Sequence, residues 1–349
     1  MIDHRNLRSW IRPALARALY LVGALHLLLW IRLRNRAVVL MYHRVIDGQD
    51  RHKAYSHPGI IVETSTFERH LRFLRRHMHV ASLGEFRDRM VNRRPFAPRT
   101  CLITFDDGWQ DNYTHAFPLL AGHGLPATIF LTSGFVGTGR RFWQESLAHS
   151  LFVALQGADD GEATTRGEIL AKLGLDASSL RPDESGKARI RENVSRAKHF
   201  PEQEREDLVN EASRMAGGQA RPAAHIDSFL TWAHVREMAA GGIEFGSHTV
   251  NHKLLTTIPP DEVEEEVRAS KLGIEKELGE KVVAFSYPNG NCDAESRRIV
   301  ADNGFDLAFG TEPGLVDPAD DRYAIKRINI HQGAASSIPL LMATIAGIL

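Results

Sequence analysis

From Ala37 onward, short apolar runs alternate with helical patterns, and most of the runs leave no face for water. The strand candidates are "AVVLMY" (37–42), "CLITF" (101–105), "ATIFL" (127–131), "GIEFG" (242–246), "VVAFS" (282–286), "LAFG" (307–310) and "AIKRINI" (324–330). Strands apolar on both sides belong in a parallel sheet covered by helices. Between them, Thr66 can cap "FERHLRFLRRH", and "WAHVREMAA" stops at the pair Gly241 and Gly242. "DEVEEEVRASKLGIEKEL" opens with acidic residues and carries apolar ones at 263, 267, 274 and 278. Seven strand–helix alternations predict a closed or nearly closed β/α barrel over 37–349.

Residues 137–228 break the rhythm. They hold no good strand and read as charged helices such as "ARIRENVSRAKHF" and "EQEREDLVNEASRMA". The segment is expected to be a helical insertion over one end of the barrel, or a lid that shapes the substrate site. Trp143 and Glu145 are its candidates for reaching a substrate, with a buried anchor as the alternative for Trp143.

Residues 1–36 differ again. Arg5, Arg8, Arg12 and Arg17 precede an apolar run from Ala18 to Ile31, and Arg32, Arg34 and Arg36 follow it. The run falls short of the about 20 residues a spanning helix needs. It has no small-residue cleavage site, so a cleaved signal peptide is not expected. Three readings stand: a helix on an anionic membrane surface, a short uncleaved anchor, or a helix packed on the protein's own body. The expected location is the cytoplasm or the inner membrane, with peripheral membrane contact through residues 1–36. Acidic and basic residues balance at 43 each, so nothing points to nucleic acid. Cys101 and Cys292, the two cysteines, form no CxxC pattern and read as free thiols.

The polar residues that follow the strands are more informative. His43 follows the first run, Asp106 and Asp107 the second, "SHTVNH" the fourth, "YPNG" the fifth and His331 the last. In parallel α/β folds these strand ends converge on one mouth. His248 and His252 lie four apart, which on a helical turn puts both imidazoles on one face. A carboxylate would complete a two-histidine, one-carboxylate metal site with a position open for water. Of two adjacent aspartates, one can bind the metal while its neighbour addresses the water; the cation offsets their repulsion.

"TFDDG", "HTVNH" and "INIH", in this order, resemble the motifs of the NodB-homology polysaccharide deacetylases, carbohydrate esterase family 4. "LMYHRV" resembles the subgroup linked to exopolysaccharide and surface-glycan synthesis. The likeness covers about 37–136 and 229–331. It implies a distorted (β/α)7 barrel and a divalent metal, zinc first, with cobalt, nickel or manganese as alternatives. It also implies hydrolysis of N-acetyl groups on the amino sugars of a glycan. Mapped by residue, Asp106 is the general base, Asp107, His248 and His252 are the metal ligands, and His331 is the general acid. The backbone N–H of Asn289 would hold the oxyanion, with Tyr287 as an aromatic wall or a packing residue. His43 is either a site-lining or a structural histidine. The other readings are a small-molecule amide deacylase on the same scaffold and a non-catalytic glycan-binding or assembly protein.

Some family features are absent. Ser286 stands where many members carry an arginine that orients the catalytic aspartate. Asn289 stands where an aromatic residue is common, and no Asp–Trp motif accompanies His331. Arg327 lies four residues before His331, so strand alternation puts both on one face. If that face looks inward, Arg327 can supply the missing cation to Asp106.

Overall fold

The computed structural model describes residues 4–157, 163–217 and 225–348, without the side chains of 4–10, 163 and 225. The side chains of Arg5, Arg8 and His225 thus lie outside the described residues. The chain forms two compact units. One comprises Met1–Gly48, Ile60–Thr138 and Phe229–Leu349, the other Gln49–Gly59 and Gly139–Ser228.

The first unit contains strands β1 (Ala37–Tyr42), β2 (Arg44–Ile46), β3 (Ile61–Glu63), β4 (His79–Val80), β5 (Thr100–Phe105) and β6 (Thr128–Leu131). After the second unit's segment come β7 (Glu244–Ser247), β8 (Ala284–Ser286), β9 (Leu307–Phe309) and β10 (Ile328–Asn329). In chain order its helices are α1 (His4–Leu21), α2 (Ala24–Arg32), α3 (Thr64–His77), α4 (Leu83–Val91) and α5 (Phe117–His123). The second unit supplies α6 (Trp143–Gln156), α7 (Ala163–Lys172), α8 (Glu184–Asn193) and α9 (Glu202–Met215). The first unit then resumes with α10 (Trp232–Ala240), α11 (Pro260–Leu278), α12 (Ala294–Asp302), α13 (Gln332–Ala335) and α14 (Ile338–Ile345).

The main sheet is parallel throughout, in the order β10-β1-β5-β6-β7-β8-β9. β4 pairs with the start of β5, at Thr100 and Cys101, and β6 with its end, at Thr104 and Phe105. The two sheet edges meet through the last strand segment. Ile325 bridges in parallel to Phe309, and three residues later Ile328 pairs with Leu40. The segment expected over 324–330 therefore serves β9 with its first half and β1 with its second. β2 and β3, which form a separate parallel pair, and β4 are only two or three residues long and gave no alternating pattern to read.

Alternation sorts the barrel into two layers. Val38, Leu40, Tyr42, Cys101, Ile103 and Phe105 face the helices and pack with Phe67 and Leu71 of α3. Ala37, Val39, Leu102, Phe130 and Phe309 face inward and pack with Phe86 and Phe96. Gly246 on β7 leaves room for Phe130: a Cβ there would collide with that ring and stand 2.9 Å from the Ala284 carbonyl oxygen. Helix α3 starts at Thr64, two residues before the expected cap. Thr66 is buried in its first turn, where Oγ1 accepts from Arg69 at 2.7 Å.

The N-terminal helices pack on their own unit. Ala16, Leu25, Leu29 and Leu33 are buried in its core, and α1 and α2 both pack against α14. The two helices meet at a bend of 83°, and no single helix among the described residues is long and apolar enough to cross a membrane.

The second unit has its own core, built on Leu147, Leu151, Leu170, Leu173 and Ile190. As expected for 137–228, its described residues form helices rather than strands. It also takes in Gln49–Gly59. Lys187, buried, donates to the carbonyls of His52 (2.6 Å) and Lys53 (3.0 Å) and lies 4.0 Å from the Tyr55 ring centroid. The Tyr55 N–H donates to Asp227 at 3.2 Å. Trp143 in this unit is partly buried and lies 5.6 Å from the Arg205 guanidinium, while Glu145 is buried.

Candidate active site and metal centre

The register of β1 against β5, Tyr42 opposite Phe105, brings the ends of the two strands level. Asp106 extends the ladder by one bond, its N–H donating to the Tyr42 carbonyl at 3.0 Å. Its side chain follows Leu102 and Thr104 to the inner face. Asp107 then turns the chain, with φ at 77°, and Gly108 continues the turn at 79°. The left-handed region costs a residue other than glycine energy that the surroundings must offset. Glycine is required at 108 for a second reason: a Cβ would stand 2.8 Å from Leu131 Cδ2. This turn separates the two carboxylates, so neighbours in sequence serve different partners.

Asp107 Oδ1 lies 3.5 Å from Nε2 of His248 and 3.5 Å from Nε2 of His252. One ligand atom from each of the three residues lies within 4.8 Å of the others. The HxxxH spacing achieves this without a helix. Residues 248–252 form a loop with Thr249 (φ 65°) and His252 (φ 60°) in the left-handed region. The helical-turn expectation is thus corrected. Glu266, buried on α11, fixes the loop by accepting from the N–H groups of Val250 (2.9 Å) and Asn251 (2.8 Å) and from the Asn251 amide (2.7 Å).

The donor set suits a divalent cation. His248 Nδ1 donates to the Ser286 carbonyl at 2.7 Å, which leaves the Nε2 lone pair facing Asp107. Two imidazoles and one carboxylate are the ligand types of catalytic zinc sites. Burial alone would push the Asp107 carboxyl up, but His248, His252 and His43 hold it well below the usual carboxylate range. Burial would lower His248, yet Asp106 and Asp107 outweigh this and raise it.

Asp106 is gripped from the other side. Arg327 Nη1 donates to Oδ1 and Nη2 to Oδ2, both at 2.7 Å. The Ser286 hydroxyl donates to Oδ2 at 3.4 Å and accepts from Arg327 Nη2 at 2.8 Å. Arg327 Nε donates to the Gly310 carbonyl at 2.8 Å. Arg327 is completely buried and Asp106 is 2% exposed. Burial pushes the Asp106 carboxyl up, but the Arg327 guanidinium and His248 hold it below its ordinary value. Arg327 therefore faces inward, and Ser286 acts as its partner.

His43 is partly buried at the end of β1, and its Nδ1 is buried with no hydrogen-bond partner among the described residues. Burial holds this imidazole below its ordinary value, and the nearby charges of Asp107 and Asp106 offset the shift only in part. His331, one residue beyond the Ile330–Met41 bond, occupies the position before α13 without a side-chain capping bond, with its Nδ1 3.3 Å from where a Cβ on Gly333 would lie. Asn289 is exposed in a left-handed turn (φ 57°), and its side chain donates to Asn291 at 2.8 Å. Tyr287 does not line the mouth. It is fully buried, packs edge-on against Phe285 and donates its hydroxyl to the Tyr323 carbonyl at 3.0 Å. One residue beyond β8, it joins the outer core, so the packing alternative holds and the aromatic wall does not.

Sequence reasoning missed a supporting chain of contacts. Trp109 Nε1 donates to Asp107 Oδ2 at 2.8 Å, and the Arg44 guanidinium lies 4.3 Å from the Trp109 ring centroid. Arg44 Nε in turn donates to Asp111 Oδ2 at 2.9 Å, and all three residues are buried. Asn112 donates to the His43 carbonyl at 2.8 Å. The readable signal was an indole N–H two residues beyond the aspartate pair.

Comparison with known proteins agrees with this geometry. The family model described as "Polysaccharide deacetylase" matches residues 93–158 and 202–308, which include Asp106, Asp107, His248 and His252. A protein of Bacillus subtilis (strain 168), "Putative polysaccharide deacetylase YxkH", is 22% identical over 311 residues, 88% of this chain and 77% of that protein. "Poly-beta-1,6-N-acetyl-D-glucosamine N-deacetylase" of Staphylococcus epidermidis is 30% identical over 118 residues, 30% of this chain and 39% of that protein. Among solved structures, "Streptococcus pyogenes deacetylase PplD in complex with acetate" shares the fold, with a TM-score of 0.56 and 20% identity over 89% of this chain and 98% of that one. Matched by the family model across both aspartates and both histidines, on a barrel shared with a solved deacetylase, the chain belongs to the polysaccharide deacetylase family.

Proposed function

We propose that the protein is a divalent-metal-dependent hydrolase that removes N-acetyl groups from the amino sugars of a surface or exported polysaccharide. One observation carries the reading: Asp107, His248 and His252 converge beside an Asp106 held by Arg327. The S. epidermidis relative, named for an N-acetylglucosamine polymer, supports the substrate class.

Asp107, His248 and His252 would hold the cation, zinc first. A cation there would acidify water and polarise a carbonyl oxygen. Asp106, kept ionised by Arg327, takes a proton from the attacking water. Water oxygen bonds to the acetyl carbon, the C–N bond breaks, and acetate and a free amine result. The family resemblance assigns the developing oxyanion to the backbone N–H of Asn289. A histidine protonates the leaving amine. The family resemblance gives that role to His331. His43 is the second candidate: its Nδ1 is buried with no hydrogen-bond partner among the described residues, and although burial holds its pKa below the ordinary value, Asp107 and Asp106 offset part of that shift.

The test is acetate release from N-acetylated glycan polymers, oligomers and monomers by metal-loaded and chelator-treated protein. Metal-dependent release from polymer or oligomer is expected, with Asp106→Asn lower by about 10²–10⁴ while metal stays bound. Release from monomers alone would favour the small-molecule deacylase. No release with metal stoichiometrically bound would favour a glycan-binding protein. Loss of activity in His331→Ala, with His43→Ala near wild type, would assign the donor role to His331.

A further inference from the structure

The N-terminal helices bury one face and display another. Ala16, Leu25, Leu29 and Leu33 enter the core, whereas Ile11 (51%), Leu21 (73%), Val22 (77%), Leu27 (58%), Trp30 (55%) and Ile31 (55%) are exposed. Most of the large apolar side chains exposed among the described residues lie in this one segment. The most exposed two sit at the bend between α1 and α2, where Gly23 takes φ 76°. Isolated exposed apolar residues are ordinary, but a contiguous ridge marks a contact surface.

The charge around the ridge identifies the contact. Arg12, Arg17 and Arg34 are exposed on the flanks of the bend, as is Arg32, which donates to the Ala346 carbonyl; Arg36 pairs with Asp317 at 3.5 Å, and no acidic residue occurs in the sequence between Asp3 and Asp47. A groove of about 320 Å³ beside the ridge is lined by Leu27, Trp30, Phe73 and Met342 together with His77 and Arg99. Apolar walls beside a guanidinium suit an acyl chain and its phosphate. A protein partner would need acidic side chains to match the arginines, whereas an anionic bilayer supplies phosphates and apolar depth together.

We propose that the bent α1–α2 pair docks the protein onto an anionic bilayer, with Leu21 and Val22 entering the acyl boundary and the flanking arginines at the headgroups. The pair lies in the interface and does not span it. Its inner face stays on the barrel, so the barrel is held at the membrane without a linker. This is independent of the reaction, because the segment contains none of the residues assigned to the site.

The test uses the full chain in flotation with phosphatidylcholine vesicles, with and without phosphatidylglycerol. Binding to the anionic vesicles is expected, weakened by salt and released by alkaline carbonate. The double substitution Leu21→Glu, Val22→Glu should weaken it by about tenfold or more. Neither exposed residue belongs to the core, so the melting temperature should not change. Arg12→Glu with Arg17→Glu should weaken anionic binding alone. Equal flotation of wild type and the Leu21/Val22 variant would overturn the proposal, as would equal binding to both vesicle types. Resistance to carbonate would show a spanning segment instead. A dimer in light scattering that those substitutions dissociate would assign the ridge to a second copy of the chain.

Discussion

Arg327 holds both carboxylate oxygens of Asp106 at 2.7 Å from a position just before β10, 221 residues further along the chain. The fork geometry matches a carboxylate as a lysine cannot. Burial costs both ions their hydration, and the pair is sustained by further bonds to Ser286 and Gly310. Removing one partner leaves a bare charge inside the barrel. Arg327→Met is therefore expected to destabilise the protein by about 3–5 kcal/mol and to lower turnover. Arg327→Lys should restore part of the stability but less of the turnover, since one ammonium cannot hold both oxygens. Denaturant titration and acetate release measured on the same preparations check both. Wild-type turnover in Arg327→Met would show that Asp106 needs no positioning cation.

Trp109 offers a cleaner probe of the metal centre. Its indole N–H fixes Asp107 Oδ2, while its ring stacks on Phe229 with centroids 4.6 Å apart. Trp109→Phe retains most of the apolar contact and removes the donor. Groups that orient metal ligands typically contribute about 10–100-fold in affinity. A loss of that size is expected in competition with a chelator, with a much smaller change in the stability of the metal-free protein. Unchanged metal affinity would reduce Trp109 to packing.

Much of this architecture was legible because local pattern and global fold agree. β1 and β5 read as strands because each is apolar on both faces, and both are wholly buried. Alternation back from His331 allowed Arg327 an inward face, and the bonds to Asp106 place it there, although only Ile328 and Asn329 between them are strand. What failed had no local signal. The approach of His248 to His252 depends on left-handed residues at 249 and 252, which helical spacing does not encode. The Arg44–Asp111 pair joins residues 67 apart and is fixed only by the level ends of β1 and β5. Tyr287 could be read as a wall of the mouth or as packing, and its side chain completes the outer core, the second of the two. Residues 1–36 looked like one helix. The bend at Gly23 turns them into two, and their inner face puts four side chains into the core. Truncation at Arg36 would therefore expose core, so point substitutions are the better test of that segment.

His70 gives a pH dependence separate from the metal site. It lies on α3, completely buried, with Nε2 donating to the Ala335 carbonyl at 2.7 Å and Nδ1 accepting from the Tyr42 hydroxyl at 3.1 Å. The bond accepted from Tyr42 requires neutral imidazole, whereas the bond donated to Ala335 is compatible with either charge state. Burial pushes its pKa down from 6.5 to about 4; the bond to Ala335 opposes the shift only in part, and Arg69 adds to it. The unfolded chain protonates this histidine below about pH 6.5, whereas the folded chain resists until about pH 4. Over that window the unfolded state binds one more proton, so stability falls as pH falls. The full shift corresponds to a loss of about 3 kcal/mol. His70→Gln can still donate to Ala335 but cannot be protonated. It should be less stable at neutral pH and lose less stability on acidification through the same window. Urea titrations of wild type and variant across that range measure the difference. Parallel stability–pH curves would show that His70 does not contribute to the acid sensitivity of the fold.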